Sequence, residues 1–143
     1  MGFGLGAAIG AAFATKTTAL LITGDGGFRM NCNELATESY YKLPIINVVF
    51  NNGTLGMVRQ WQTLTCNGRH SQTTLDRGPD FVKLAEAYGL KGCRVTDVTQ
   101  LEAALQSALE GGDAAVIDCA IDIDEMVRPM VGGGSHITKF MVD

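Results

Sequence analysis

A chain of 143 residues with a formal net charge of −4 is long enough to enclose a core and short enough to be one domain over 1–143. The charge balance gives no basic surface for nucleic acid or anionic membrane, and 46% hydrophobic content fits a globular α/β protein. Cys32, Cys66, Cys93 and Cys119 stand far apart with no C-x-x-C pair, which argues against zinc and a disulfide framework and for reduced thiols in a cytoplasmic setting.

Residues 1–15 are rich in Gly and Ala and carry no charge, but the run is too short to span a bilayer and no basic region precedes it. The pattern predicts a buried helix. Gly4-Leu-Gly6-Ala-Ala-Ile-Gly10 brushes against a dinucleotide fingerprint, yet no strand precedes it and the third glycine is misplaced, so no nicotinamide site is expected. Ala19 to Thr23 is an apolar run of strand length, ended by a Gly24-Asp25-Gly26-Gly27 turn through which backbone can approach a ligand closely. Asn31 followed by Glu34 has the form of a capping box, predicting a helix over 33–42 that stops before Pro44. Ile45 to Phe50 is continuously apolar, as a strand covered on both faces must be, and delivers Asn51 and Asn52 to the sheet edge where Asp25 emerges. Strand, helix and strand make one right-handed crossover unit.

Gly53 to Gly56 forms a loop, and from Met57 the apolar residues Met57, Val58, Trp61 and Leu64 share one helical face. Arg59 and Gln60 read as surface or loop-facing polar residues. His70 sits in a polar stretch with no identifiable partner and reads as a solvated loop residue. Pro79-Asp80 opens a helix with Phe81, Leu84, Ala85 and Tyr88 on its buried side and Gly89 at its end. Lys91 to Val95 is a short strand. Thr99 with Glu102 suggests a second capping box, for a helix whose stripe is Leu101, Ala104, Leu105 and Ala108, closed by Gly111-Gly112. Ala114 to Ile121 is the last strand. Strands alternating with helices predict an α/β fold, a doubly wound, mostly parallel sheet flanked by helices. Asp122, Asp124 and Glu125 read as a solvated acidic loop, and Gly132-Gly133-Gly134 makes 122–143 a flexible tail.

In open parallel sheets ligands bind beyond the carboxyl ends of the strands. A hard cation takes oxygen ligands, usually one or two from side chains with phosphate and water completing the octahedron, and Asp25 and Asn52 offer a carboxylate and an amide oxygen there. Helix N-terminal and turn amides add anion-binding N–H groups. Either motif alone reads as an ordinary turn. The pair, joined through one crossover, reads as a metal and diphosphate site.

Gly-Asp-Gly followed by Asn51-Asn52 resembles the cofactor signature of the thiamine diphosphate enzymes. The stretches 24–37 (GDGGFRMNCNELAT), 51–62 (NNGTLGMVRQWQ) and 79–89 (PDFVKLAEAYG) are similar to the large catalytic subunit of acetolactate synthase, also called acetohydroxyacid synthase, and the similarity covers nearly the whole chain. The resemblance implies the thiamine diphosphate-binding fold and Mg2+ held by Asp25, Asn52 and the backbone carbonyl of Thr54. It implies cofactor contacts from Met1, Gly24, Gly26, Gly27, Asn52, Leu55, Gly56 and Met57. It makes Trp61 a wall of the substrate pocket. No catalytic residue is implied in this chain, because the family relies on the cofactor's own amine and a Glu from another domain. Implied partners are pyrimidine-binding and central domains or a second subunit, in an oligomer, with pyruvate and 2-oxobutanoate as substrates. FAD would belong to the central domain of the full enzyme and not to this one.

The family pattern places Met1 within a site that further chain completes, so the chain taken alone is expected to bind its cofactor weakly and make no acetolactate. Departures are Gly6, Gly132, Gly133 and Gly134 where the family has prolines, and Thr65-Cys66-Asn67-Gly68 where it has aromatics. Asp124 to Val131 resembles the family's C-terminal segment, which folds over the active site, and the glycine run after it leaves that closure weak. Two alternatives stand beside this reading: the cofactor domain of another thiamine diphosphate carboligase or decarboxylase, and a non-catalytic stand-alone cofactor-binding fragment.

Overall fold

A computed structural model describes residues 1–141; Val142 and Asp143, the end of the predicted tail, lie outside the described residues. Four strands, β1 (Ala19–Gly24), β2 (Ile45–Asn51), β3 (Lys91–Val95) and β4 (Ala115–Ala120), form a wholly parallel sheet in the order β1-β2-β4-β3. All four fall where the apolar runs predict them. Side-chain alternation then divides the core. Leu21, Ile45, Val49 and Val116 face a layer made by helices α1 (Phe3–Thr15), α2 (Asp25–Arg29), α3 (Leu35–Tyr40) and α5 (Phe81–Ala87), while Ile46, Val48, Ile117 and Cys119 face α6 (Val98–Gly111). Helices on both faces of a parallel sheet are the doubly wound arrangement.

The helix starts differ from the sequence expectation in ways that matter locally. Asp80 caps α5 as predicted, its carboxylate accepting from the N–H groups of Val82 and Lys83. Helix α6 is capped two residues earlier than Thr99: Asp97 accepts from Gln100 N at 2.8 Å, and Gln100 Oε1 reaches back to Thr96 N at 3.0 Å. The Asn31–Glu34 box does not form. Asn31 Nδ2 instead donates to the Gly2 carbonyl at 2.7 Å, tying the start of α1 to this turn, and Glu34 accepts from the Thr37 hydroxyl at 2.8 Å. In place of one helix over 33–42 there is a 3-10 turn, Cys32–Glu34, followed by the shorter α3. Helix α1 is not buried all round: Leu5, Ala8 and Ala12 form its inner stripe, and Phe3 and Phe13 are exposed. A helix of small residues can lie flat on a sheet with one narrow stripe, which composition alone does not distinguish from full burial.

Inside the first core lies a polar pair. Glu38 on α3 and Asn47 on β2 are both fully buried; Asn47 Nδ2 donates to Glu38 Oε1 at 3.0 Å, to Oε2 at 3.1 Å and to the Ala115 carbonyl at 3.3 Å. Burial pushes the Glu38 carboxyl up to about 7, against the opposing pull of the Asn47 hydrogen bond. Beyond β4 the chain returns to helix α4 (Gly56–Thr65), and Met130–Val131 (β5) pairs antiparallel with Phe140–Met141 (β6) in the segment expected to be a flexible tail.

Candidate functional site

In the parallel register Gly24 lies opposite Phe50, so β1 and β2 end side by side and hand the chain to Asp25 and to Asn51-Asn52 at one sheet edge. The Gly24-Asp25-Gly26-Gly27 stretch is not a free turn, as the sequence suggested, but the first turn of α2. Asp25 stands at its first position, where a carboxylate meets unsatisfied N–H groups and the positive end of the helix dipole. Its side chain is 5% exposed. Burial raises its pKa; the N–H groups of Gly26 and Gly53 and the Arg29 guanidinium oppose the rise. The carboxylate is therefore costly to keep charged here, and a cation beside it would relieve that cost.

The Asn52 turn is held from several sides. Asn51 Nδ2 donates to Asp118 Oδ1 at 2.9 Å, and Asn51 Oδ1 accepts from Gly53 N at 3.2 Å. Asp118, fully buried on β4, also accepts from Arg94 on β3, at 2.9 Å from Nε and 2.8 Å from Nη2. One carboxylate thus links three strands to the turn. Asn52 Oδ1 accepts from Thr54 N at 3.2 Å, which leaves a lone pair of that oxygen available. Thr54 is buried, with its hydroxyl on the Thr73 carbonyl at 2.9 Å; Leu55 N to Thr73 O at 2.8 Å and Leu75 N to Gly53 O at 2.7 Å fasten the loop to the polar stretch that follows α4. A Cβ on Gly56 would come within 2.8 Å of Asn52 Nδ2, so a side chain at 56 would push the Asn52 amide from its place.

These elements enclose a cleft of about 490 Å³, a size suited to a cofactor. Met1, Gly24, Asp25, Gly26, Gly27, Asn52, Thr54, Leu55, Gly56 and Met57 all line it. Trp61 does not: it is half-buried on α4, one turn beyond Met57. The far wall, made by Ile121, Glu125, Met126 and Val127, lies mostly in the 124–131 segment that the resemblance folds over the site; the sequence reading missed only that Glu125, read as solvated, lines it. It also misjudged α4. Met57, Val58 and Leu64 are 47%, 46% and 37% exposed, whereas Gln60 is 5% exposed. The helix packs against the returning backbone rather than a side-chain core, so burial selects the residue that can satisfy that backbone. Gln60 Oε1 accepts from Val127 N at 2.9 Å and Gln60 Nε2 donates to Val127 O at 3.0 Å. Arg59, like Gln60 read as a surface or loop-facing polar residue, faces that loop and pairs with Asp124 at 2.7 Å. His70 is exposed and meets the Thr63 hydroxyl at 2.9 Å. Among the described residues no group of three His, Cys, Asp or Glu side chains converges as a metal cage, and no helix is long and apolar enough to cross a membrane.

Residues 1–119, which carry nearly the whole sheet and all of this cleft but its far wall, match the family model described as thiamine pyrophosphate enzyme, C-terminal TPP binding domain. The chain belongs to that family. Among relatives, it is 44% identical over 142 residues to a probable acetolactate synthase large subunit of Methanocaldococcus jannaschii, covering 99% of this chain and 24% of the relative. It is 45% identical over 140 residues to the acetolactate synthase isozyme 3 large subunit of Escherichia coli, covering 94% of this chain and 24% of the relative. A solved thiamine diphosphate-dependent 4-hydroxybenzoylformate decarboxylase of Rhodococcus jostii superposes with a TM-score of 0.79 at 32% identity, over 87% of this chain and 24% of that one. The chain spans about a quarter of the length of each. As a thiamine pyrophosphate-binding domain, it presents the donor set such a group asks for: a buried carboxylate, an amide oxygen with a free lone pair, and glycine amides in a first helical turn.

Proposed function

We propose that residues 1–143 form one domain that holds the diphosphate end of thiamine diphosphate through Mg2+ as part of an acetolactate synthase. The observation that carries the reading is the convergence of Asp25 and Asn52 at the ends of adjacent strands, with glycine at 56 leaving Asn52 its place. Asp25, Asn52 and the Thr54 carbonyl would hold the metal. Gly24, Gly26 and Gly27 would let backbone approach the diphosphate, and Met1, Leu55, Gly56 and Met57 would flank the ring. When bound, the cofactor supplies the electron sink that allows pyruvate to lose carbon dioxide and join a second 2-oxo acid such as 2-oxobutanoate. The chain's own residues bind, orient and exclude water; none in the cleft is placed as a general base. Trp61 would shape the acceptor pocket together with residues from the rest of the enzyme.

The relatives' greater length supports further domains or a second subunit beside this one; on the same proposal the assembly is a cytoplasmic oligomer, with any FAD held outside this domain. Calorimetric titration of thiamine diphosphate into the chain, with and without Mg2+, tests the site. Metal-dependent binding that disappears in Asp25→Ala is the expected result; equal binding by that variant would overturn the assignment of Asp25 as a metal ligand.

A further inference from the structure

We propose that Gln60 is a positioning residue that locks the returning segment 121–131 against α4 and so fixes the far wall of the cofactor cleft. The geometry is specific. Gln60 is the buried polar side chain of α4, and its amide matches the Val127 peptide group for group: Oε1 takes the N–H at 2.9 Å, and Nε2 gives to the carbonyl at 3.0 Å. The same Nε2 lies 3.1 Å from Sδ of the buried Met130, which extends the grip to the start of β5. Val127 itself is 61% exposed, so its side chain does little to hold the segment and its backbone must. One residue earlier on the helix, the Arg59–Asp124 pair is open to water on the Asp124 side, where screening weakens it.

The consequence follows from connectivity. Segment residues Ile121, Glu125, Met126 and Val127 line the cleft, and α4 contributes Met57, Val58 and Gln60 to the same cleft. Gln60 joins the two walls through buried bonds, between the Ile121 N–H bond to the Asn51 carbonyl at 3.0 Å and the water-exposed Arg59–Asp124 pair, so it contributes directly to the width of the cleft. Only a side chain with one donor and one acceptor at the same reach can do this. Leucine offers neither. An ionised glutamate keeps the acceptor for Val127 N–H and sets a negative oxygen against the Val127 carbonyl; protonated, it regains a donor. This inference rests on the cofactor reading for its effect on affinity, and stands without it for its effect on the segment.

The test compares the full chain with Gln60→Leu and Gln60→Glu by amide hydrogen exchange without cofactor, and by thiamine diphosphate titration with Mg2+. Losing two backbone-directed bonds in Gln60→Leu should lower exchange protection over 121–131 by roughly tenfold to a hundredfold while the sheet strands stay protected. Measured against the wild-type chain at the same pH, which removes the Glu38 contribution, Gln60→Glu should show the same loss over 121–131 at pH 8 and recover protection at pH 5, a segment-specific pH dependence that a purely space-filling role cannot produce. Cofactor affinity should fall by about tenfold in Gln60→Leu, in step with the loss of protection. Unchanged protection over 121–131 in Gln60→Leu, or a Gln60→Glu chain indifferent to pH, overturns the lock. Should Gln60→Leu fail to fold, the pH response of Gln60→Glu decides alone. A wild-type chain that binds no cofactor overturns the functional reading, and the exchange data then still decide the lock.

Discussion

Gly56 and Asn52 illustrate how a site residue can be invisible as chemistry and decisive as space. Alanine at 56 gains little in helix propensity, because 56 is the first residue of α4, and it displaces Asn52 Nδ2, which lies 2.8 Å from the new methyl. The displaced atom is the end of a side chain facing an open cleft, so the cost in stability is small. Gly56→Ala is therefore expected to melt near the wild-type temperature and to lose metal-dependent cofactor binding. A thermal melt and a titration on the same sample separate the effects; binding at wild-type affinity would show that Asn52 has no fixed place to keep. Asp25 and Asn52 were legible in the sequence because glycine and asparagine declare themselves at strand ends. Gln60 was not, since its partner is a peptide group, and peptide groups leave no trace in the residue alphabet.

At the scale of elements, the parallel strands and α5 could be read from apolar period and capping. The break between the 3-10 turn and α3 could not, because Asn31 spends its amide on Gly2, a contact between segments distant in the chain. The acidic stretch after β4 resembled solvated loop for the same reason: what orders it lies on α4. Asp118 shows such a cross-element link in the interior, joining β4 to Arg94 on β3 and to Asn51 at the end of β2. Asp118→Ala should lower stability by about 2 kcal/mol, less than for a fully buried pair because Arg94 is half exposed. It should also free the Asn52 turn and weaken cofactor binding. Denaturant unfolding and titration check both, and a loss of stability with unchanged affinity would separate the link from the site.

For the molecule as a whole, Glu38 makes folding stability depend on pH in an unusual sense. Its folded pKa, about 7, stands above the ordinary 4.5, so between those values the native state binds the extra proton. Stability is thus greatest on the acid side of the window and declines as pH rises through it, by on the order of 3 kcal/mol when complete. Glu38→Gln keeps the shape without the charge. Urea midpoints at pH 5 and pH 8 should differ more in the wild type than in this variant; equal differences would mean that Glu38 ionises at no special cost.

The two layers of helices are unequal, and on the α6 side the β1 residues Leu20 and Ile22 are 56% and 63% exposed. Completing their burial would add about 1 kcal/mol each, a sizeable share of what a domain of this size holds in reserve. By mass action, whatever occupies that strip raises the melting temperature in proportion to the logarithm of its concentration. Thermal stability is then a property of the domain together with its surroundings, and a melting curve of this chain measures company as well as sequence.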